Sequence, residues 1–205
     1  MKEKSKGISL NYMAGYYDLL TYTEKSRFRR RQVELMDIQE GESILDVGCG
    51  TGAITVLSKM ATGVSGRVEG IDIAPRMIQQ SQKKAKRLDL DISFQIAPIQ
   101  ELPFEDDSFD LVTSSLMFHH LPVEVKNDGL DEIRRVLHEG GRFFLCDFGK
   151  PRPLTYPLSW LMLVWMENTR FQLRGRLPDL LNEHGFRRVE MVKKGVLLDY
   201  VLAWK

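Results

Sequence analysis

The residues best suited to chemistry lie in one short glycine-rich stretch. The run 44–47 is apolar except for Asp46, and Gly48, Gly50 and Gly52 follow it at alternate positions. Glycine permits positive φ angles and lets a ligand approach the backbone closely. The pattern therefore predicts a strand, a tight loop and a helix start that together hold a small molecule.

The charge of that stretch indicates which ligand it holds. Dinucleotide sites usually read G-x-G-x-x-G, whereas this loop is G-x-G-x-G and Asp46 comes two residues before its first glycine. A carboxylate repels a pyrophosphate and attracts an ammonium or a sulfonium group. S-adenosylmethionine carries both cations, so we predict it as the cofactor. An NAD-linked oxidoreductase is the less favoured alternative.

A second carboxylate supports the same ligand. Asp72 follows Gly52 by about the twenty residues expected of an acid that binds ribose hydroxyls. It also ends a second apolar run, 68–71. We therefore expect Asp72 at the tip of the second strand, where it accepts hydrogen bonds from both ribose hydroxyls.

Four motifs in order carry a family resemblance. DVGCGTG, GIDIAPRMI, ELPFEDDSFDLVTSSLMFHHL and EIRRVLHEGGRFFLCDF resemble class I S-adenosylmethionine-dependent methyltransferases and cover roughly residues 40 to 150. The resemblance implies a doubly wound, Rossmann-like α/β fold with a seven-stranded sheet in the order 3-2-1-4-5-7-6 and one antiparallel strand. It also implies a set of cofactor-binding residues: Asp46, Gly48, Cys49, Gly50, Gly52, Asp72, Ile73, Met77, Ile99 and Ser114.

One position departs from the family pattern. Pro98-Ile99 stands where the family usually has an acid followed by a small residue, and that acid would accept a hydrogen bond from the adenine amino group. Pro98 offers neither a carboxylate nor a backbone N–H. Either adenine is held by stacking and by the Ile99 backbone, or cofactor affinity is reduced.

Composition limits the remaining classes. The 205 residues suit a single domain, and a net charge of +1 gives no global attraction to nucleic acid, which disfavours an RNA methyltransferase. The two cysteines, Cys49 and Cys146, form no metal-binding or disulfide pattern. No apolar run is long enough to span a bilayer, so we expect a cytoplasmic protein without a transmembrane segment or metal, and with peripheral membrane contact left open.

The single domain divides into four parts. We expect an N-terminal helical cap (1–40), the cofactor-binding core (41–150), an apolar insert and helix (151–185) and a terminal hairpin (186–205). The run around Trp160 is apolar on nearly every face. It must be covered by the core, a dimer partner through 151–175, a lipophilic acceptor or a membrane interface.

Several residues are candidates for the acceptor side. His119 and His120 follow a buried strand, at the edge of the sheet where ligands bind, and either could take a proton. Asp147, at the tip of the next strand, either orients an acceptor or caps the following segment. Tyr16 and Tyr17 belong to a YYD element that resembles the segment covering cofactor and substrate in small-molecule methyltransferases. Trp160 is a further candidate for contact with the substrate. For each of these residues, a packing role is the alternative.

Basic residues are expected to face water. The cluster 26–31 and the lysines at the end of the helix after Pro75 both read as solvated helix faces, with contact to an anionic group as the alternative for the first.

The function predicted from these residues is direct methyl displacement to a small acceptor. DFGKP and YYD are most similar to the quinone-biosynthesis methyltransferases and their relatives, which implies a quinol, a lipid or a natural product. The alternative is a non-catalytic protein of the same fold that binds the cofactor or a partner.

Overall fold

The computed structural model describes residues 27–150 and 175–205, and structural statements refer to these residues. In chain order the elements are α1 (Arg27–Met36), β1 (Ser43–Val47), α2 (Ala53–Thr62), β2 (Arg67–Asp72), α3 (Pro75–Arg87), β3 (Ser93–Ile96), β4 (Phe109–Ser115), a 3₁₀ turn (Phe118–His120), α4 (Val123–Val136), β5 (Leu137–Phe148), α5 (Leu177–Glu183), β6 (Arg188–Lys194) and β7 (Leu198–Trp204).

The strands form one seven-stranded sheet in the order β3-β2-β1-β4-β5-β7-β6. Strands β1 to β5 pair in parallel, and β7 runs antiparallel to both β5 and β6. The predicted order and the single antiparallel strand are confirmed. Asp46 pairs in register with Gly70 of β2 and Thr113 of β4, so the carboxyl ends of the three strands meet at one edge. The strand order reverses beside β1, which is where doubly wound sheets bind their ligands.

The core lies on both faces of this sheet because alternate side chains of each strand point to opposite sides. Leu45 packs in the cluster that includes Leu130 of α4 and Leu180 of α5. Its neighbour Ile44 packs in a second cluster with Met36 of α1. Every one of these side chains is at most 4% exposed. The parallel strands are buried on both sides, which explains their near-continuous apolar sequences.

Two element boundaries differ from the prediction. Residues 128–137 have helical periodicity in the sequence and predict a helix from Asp128, but α4 begins at Val123, directly after Pro122. The Pro122 carbonyl accepts the backbone N–H of Lys126 at 3.0 Å. The pair Gly140-Gly141, directly before the largely apolar run 142–146, predicts a turn ahead of the fifth strand. Instead β5 begins as soon as α4 ends, and the register shift between Phe109 and Leu111 of β4 absorbs residues 138–141.

The expectation of a solvated face at the end of α3 is wrong for one lysine. Lys84 is only 6% exposed, and its ammonium group donates to the Thr51 hydroxyl at 3.3 Å, beneath the glycine-rich loop. A single basic residue in a run can turn inward when the helix presents it to a polar group of the neighbouring loop.

Candidate active site

A cavity of about 390 Å³ opens at the carboxyl ends of the central strands. Its volume is in the range of small-molecule sites. The described residues that line it come from six places in the sequence: Phe28, Arg29, Gln32, Asp46, Val47, Gly48, Cys49, Gly50, Thr51, Ala53, Ile54, Ile71, Asp72, Ile73, Ala74, Met77, Ala97, Pro98, Ile99, Gln100, Ser115, Leu116, Met117, His120, Leu121, Pro122 and Val125.

The three glycines after β1 serve three different purposes. Each has a positive φ, of 74° at Gly48, 54° at Gly50 and 74° at Gly52. A Cβ at Gly48 would lie 2.5 Å from Cγ of Met117, and one at Gly52 would lie 2.8 Å from Cβ of Ser81. A Cβ at Gly50 would meet no described atom within 4 Å. Gly50 thus leaves the space above the loop open, while Gly48 and Gly52 allow the loop to pack.

Asp46 provides a buried carboxylate at the floor of the cavity. It is 2% exposed, and its Oδ2 accepts the Thr55 hydroxyl hydrogen at 2.6 Å. Burial raises the pKa of Asp46 to about 7, and the nearby Asp72 carboxylate adds to the shift. Ionisation of this buried carboxyl group is costly when the group is alone, and it becomes favourable when a cation lies beside it.

Asp72 ends β2 and faces the same cavity. The backbone N–H of Gly50 donates to its Oδ2 at 2.9 Å, and that of Ala74 donates to its Oδ1 at 2.8 Å. Burial raises the pKa of Asp72, against the effect of these hydrogen bonds. The Ile73 backbone N–H also donates to this carboxylate, and because a carboxylate has about four acceptor positions, Asp72 keeps capacity for a ligand hydroxyl.

The wall beyond Asp72 is largely apolar. Pro98 and Ile99 both line the cavity, and Ile99 is 5% exposed. The side chain of Ile99 packs against Gly129 of α4, where a Cβ would lie 2.7 Å from Ile99 Cγ1. The amide of Gln100 is the polar side chain of this wall.

The end of β4 forms the opposite wall. Ser115, Leu116 and Met117 line the cavity, and Leu116 adopts a positive φ of 54°, which is costly for a residue with a branched side chain. Ser114, a predicted cofactor-binding residue, is not among the described residues that line the cavity. Ser114 is fully buried and its hydroxyl donates to the Val47 carbonyl at 2.9 Å, because strand alternation turns Ser114 toward β1.

The two adjacent histidines occupy different positions. His120 lines the cavity, and burial, together with the neighbouring His119, lowers the pKa of His120 to about 4. His119 is 5% exposed and lies behind His120, with ring centroids 3.9 Å apart. His119 is a predicted substrate contact, but it is not among the described residues that line the cavity.

Asp147 holds His119 in place. Its Oδ1 lies 2.8 Å from His119 Nδ1, and its Oδ2 accepts the His119 backbone N–H at 3.0 Å. The carboxylate is fully buried and does not line the cavity. Asp147 thus fixes the turn that carries both histidines, and its Oδ1 also accepts the backbone N–H of Phe148 at 2.7 Å.

Helix α1 contributes a polar pair that the sequence prediction missed. Arg27, Arg30 and Arg31 are exposed as expected, but Arg29 is 8% exposed and lines the cavity. Gln32, one turn later, is fully buried on the same wall. The spacing of three residues, in phase with the buried Met36, was the available signal.

The predicted residues therefore divide into three groups. Asp46, Gly48, Cys49, Gly50, Asp72, Ile73, Met77, Ile99 and His120 come together around the cavity. Gly52, Ser114, His119 and Asp147 lie behind its wall. Tyr16, Tyr17, Trp160 and the segment 151–174 lie outside the described residues.

Comparison with known proteins decides the family. Residues 44–141 match the methyltransferase domain family. The chain is 33% identical over 204 residues to the ubiquinone/menaquinone biosynthesis C-methyltransferase of Geobacter sp. (strain M21), with 92% of this chain and 86% of that protein covered. The chain belongs to the S-adenosylmethionine-dependent methyltransferases.

Two further comparisons agree with this assignment. The methyltransferase is 34% identical over 160 residues to the demethylmenaquinone methyltransferase of Tropheryma whipplei (strain Twist), and the match spans 76% of this chain but 64% of that relative. A solved S-adenosylmethionine-dependent methyltransferase from Aquifex aeolicus shares the fold, with a TM-score of 0.74 at 20% identity over 94% of this chain and 97% of that one.

The cavity fits the cofactor of this family. The buried carboxylate of Asp46 and the partly buried carboxylate of Asp72 both line the cavity and suit a ligand with cationic and hydroxyl groups, and the open space over Gly50 admits it. Cys49 lines the site as a neutral thiol, because burial raises its pKa well above the usual range. Among residues 27–150 and 175–205, no helix is long and apolar enough to cross a membrane. The same ranges contain no cluster of three metal-binding side chains.

Proposed function

We propose that this methyltransferase moves the methyl group of S-adenosylmethionine to a small lipophilic acceptor, and that a quinol is the acceptor class. Two relatives with names from quinone biosynthesis support the class. The observation that carries the proposal is the meeting of two unlike walls in one cavity. Carboxylates lie on one side, and Leu116, Met117 and His120 lie on the other.

The cofactor side is assigned by charge and position. Asp46 would hold the cationic amino acid end, and Asp72 would hold the ribose with its remaining acceptor positions. When bound, the cofactor would supply an electrophilic methyl group on its sulfonium. Attack of the acceptor on that methyl carbon would form the new bond, break the methyl–sulfur bond and release S-adenosylhomocysteine. Alignment in a water-poor cavity can supply most of the acceleration for such a reaction.

His120 is our candidate for contact with the acceptor. A pKa of about 4 keeps its ring neutral at pH 7, so a ring nitrogen can accept a hydrogen bond from an acceptor hydroxyl. Such a bond increases the electron density that an aromatic hydroxyl donates to its ring. His119 and Asp147 act as positioning residues, because their hydrogen bonds hold the turn that presents His120.

Transfer of label from methyl-labelled cofactor to a panel of acceptors tests the proposal. Short-chain demethylated naphthoquinols and benzoquinols should be methylated, whereas phospholipids and small amines should not. His120→Asn should lower kcat about 100-fold or more while cofactor affinity stays within about twofold. His138→Asn is the matched control, because His138 pairs with Asp110 outside the cavity. Methylation of amines but not quinols, or an unimpaired His120→Asn enzyme, would contradict the proposal.

The alternative is a protein that binds the cofactor without transferring its methyl group. The apolar wall at Pro98 motivates it, because the usual partner of the adenine amino group is absent at this position. Calorimetry with S-adenosylmethionine, followed by the acceptor panel, separates the two functions. The cytoplasmic location, the dimer through 151–175 and the four-part division of the chain stay predictions.

A further inference from the structure

The face of α1 that lines the cavity has a chemistry unlike the rest of the wall. Arg29 brings a guanidinium group, and Gln32 brings an amide, to the same side of the cavity. Both residues are at least nine-tenths buried, and Gln32 is fully buried. Burying a guanidinium and an amide is costly unless polar partners are present.

Gln32 shows that the described residues leave this polar surface incomplete. Neither its Nε2 nor its Oε1 has a hydrogen-bond partner within residues 27–150 and 175–205. A buried amide left in this state costs stability, whereas a ligand that pairs with it recovers that cost on binding. The orphaned amide therefore indicates a ligand group that has both donors and acceptors.

The position of the pair identifies that group. Arg29 and Gln32 share the cavity with Ala53 and Ile54 at the start of α2, directly after the glycine-rich loop. Helix α1 packs against α2. Asp46, at the end of β1, faces the same region and favours a cation. An α-amino acid carries a carboxylate and an ammonium group on the same carbon. Arg29 and the Gln32 amide can pair with that carboxylate, and the Asp46 carboxylate can pair with the ammonium group.

We propose that Arg29 and Gln32 bind the α-carboxylate of the methionyl half of the cofactor, while Asp46 faces its ammonium group. The Arg29 guanidinium donates to the carboxylate as a charged hydrogen-bond donor. The Gln32 amide N–H donates to the same carboxylate, and its carbonyl accepts from the ammonium. This assignment rests on the family's cofactor and not on the proposed quinol acceptor.

Two ligands that differ only in the amino acid end test the proposal. S-adenosylhomocysteine carries the α-amino acid, and 5′-methylthioadenosine lacks it but keeps the adenosine and the thioether. By titration calorimetry, Arg29→Gln should weaken S-adenosylhomocysteine binding about 10- to 100-fold and leave methylthioadenosine within about twofold. Arg30→Gln, the next residue on an exposed position of the same helix, should change neither affinity.

Gln32→Leu is a second variant, and it should raise the stability of the ligand-free protein while it lowers the affinity for S-adenosylhomocysteine. Removing an orphaned buried amide should raise the melting temperature of the ligand-free protein. The same change should weaken the binding of S-adenosylhomocysteine and leave the binding of methylthioadenosine unchanged. Loss of a merely structural residue would not separate the two ligands in this way.

Three results would overturn the assignment. If Arg29→Gln lowers the affinity for both ligands equally, Arg29 has a structural role and does not bind the α-carboxylate. Unchanged affinity for both ligands, with a higher KM for the acceptor, would place Arg29 on the acceptor side. If the unaltered protein binds neither ligand, the assignment of the cofactor itself is wrong. If only quinol methylation fails, the inference about Arg29 and Gln32 still holds.

Discussion

The replacement Asp46→Asn should stabilise the ligand-free protein at neutral pH while it abolishes tight cofactor binding. Asp46 is 2% exposed, and burial raises its pKa from the ordinary value of 3.8 to about 7. Between these two values the folded protein holds a proton that the unfolded chain has released. Unfolding therefore releases a proton in this window, and the free energy of unfolding falls as pH rises from about 4 to about 7.

The size of this effect follows from the pKa difference. One pKa unit corresponds to about 1.4 kcal/mol, so a difference of about three units destabilises the protein by up to about 4 kcal/mol above pH 7. In a chain of this length, that free energy corresponds to roughly 10 °C in melting temperature. Asparagine keeps an oxygen to accept the Thr55 hydroxyl hydrogen and removes the titration.

Thermal melts of the unaltered protein and of Asp46→Asn from pH 4.5 to 8.5 measure the effect. The two curves should nearly meet at pH 4.5 and diverge above it, with the variant higher. Asp91→Asn, on the exposed surface, is the charge-matched control and should follow the unaltered protein. Parallel curves for the unaltered protein and Asp46→Asn over the whole range would refute the reasoning, since both stability and binding are attributed to one buried charge.

Cofactor binding should show the reverse dependence on pH. A bound cation favours the ionised carboxylate, so the affinity for S-adenosylmethionine should fall as pH drops below about 7. Calorimetry in buffers of different ionisation enthalpy should detect release of a proton on binding at pH 6.5. The Asp46→Asn variant should release none at this site.

The remaining predictions concern the loop and the apolar wall. Gly48→Ala and Gly50→Ala both place alanine at positive φ, at a cost of about 1–2 kcal/mol each, but the new Cβ meets Met117 in the first and the open cavity in the second. Denaturant melts should therefore show the larger loss for Gly48→Ala, and calorimetry should show the larger loss of cofactor affinity for Gly50→Ala; the opposite ranking would contradict the assigned purposes. Pro98→Asp should tighten cofactor binding about 3- to 10-fold by adding an acceptor for the adenine amino group, and an unchanged affinity would place adenine elsewhere.

The parallel half of the fold could be predicted because its signals are local. An apolar run with an acid at its carboxyl end marks β1 and β2, at Asp46 and Asp72, and both carboxylates line the cavity. The sheet order came from the family resemblance, because no local pattern fixes which strands pair. The start of α4 was missed by five residues, since its first turn carries few apolar residues and only Pro122 marks it.

Side-chain direction was the part of the site that sequence could not supply. Within a strand, alternation separates neighbours such as Ser114 and Ser115, and the choice between them depends on which face the ligand occupies. Arg29 looked like one cation among several in a basic run. Only the packing of α1 on α2 decides that this arginine, and not Arg30, faces the cavity.

The two histidines show why adjacent residues with the same chemistry need a structure to be told apart. They follow β4 in a 3₁₀ turn, where consecutive side chains point in different directions and no periodicity predicts which one faces the ligand. Asp147 of β5 fixes the orientation of His119. Its Oδ2 accepts the His119 backbone N–H, and its Oδ1 is hydrogen-bonded to Nδ1 of the His119 ring. Because β4 and β5 are paired neighbours, that contact is long-range in sequence and short in space. His120 reaches the cavity because the residue before it is held behind the wall.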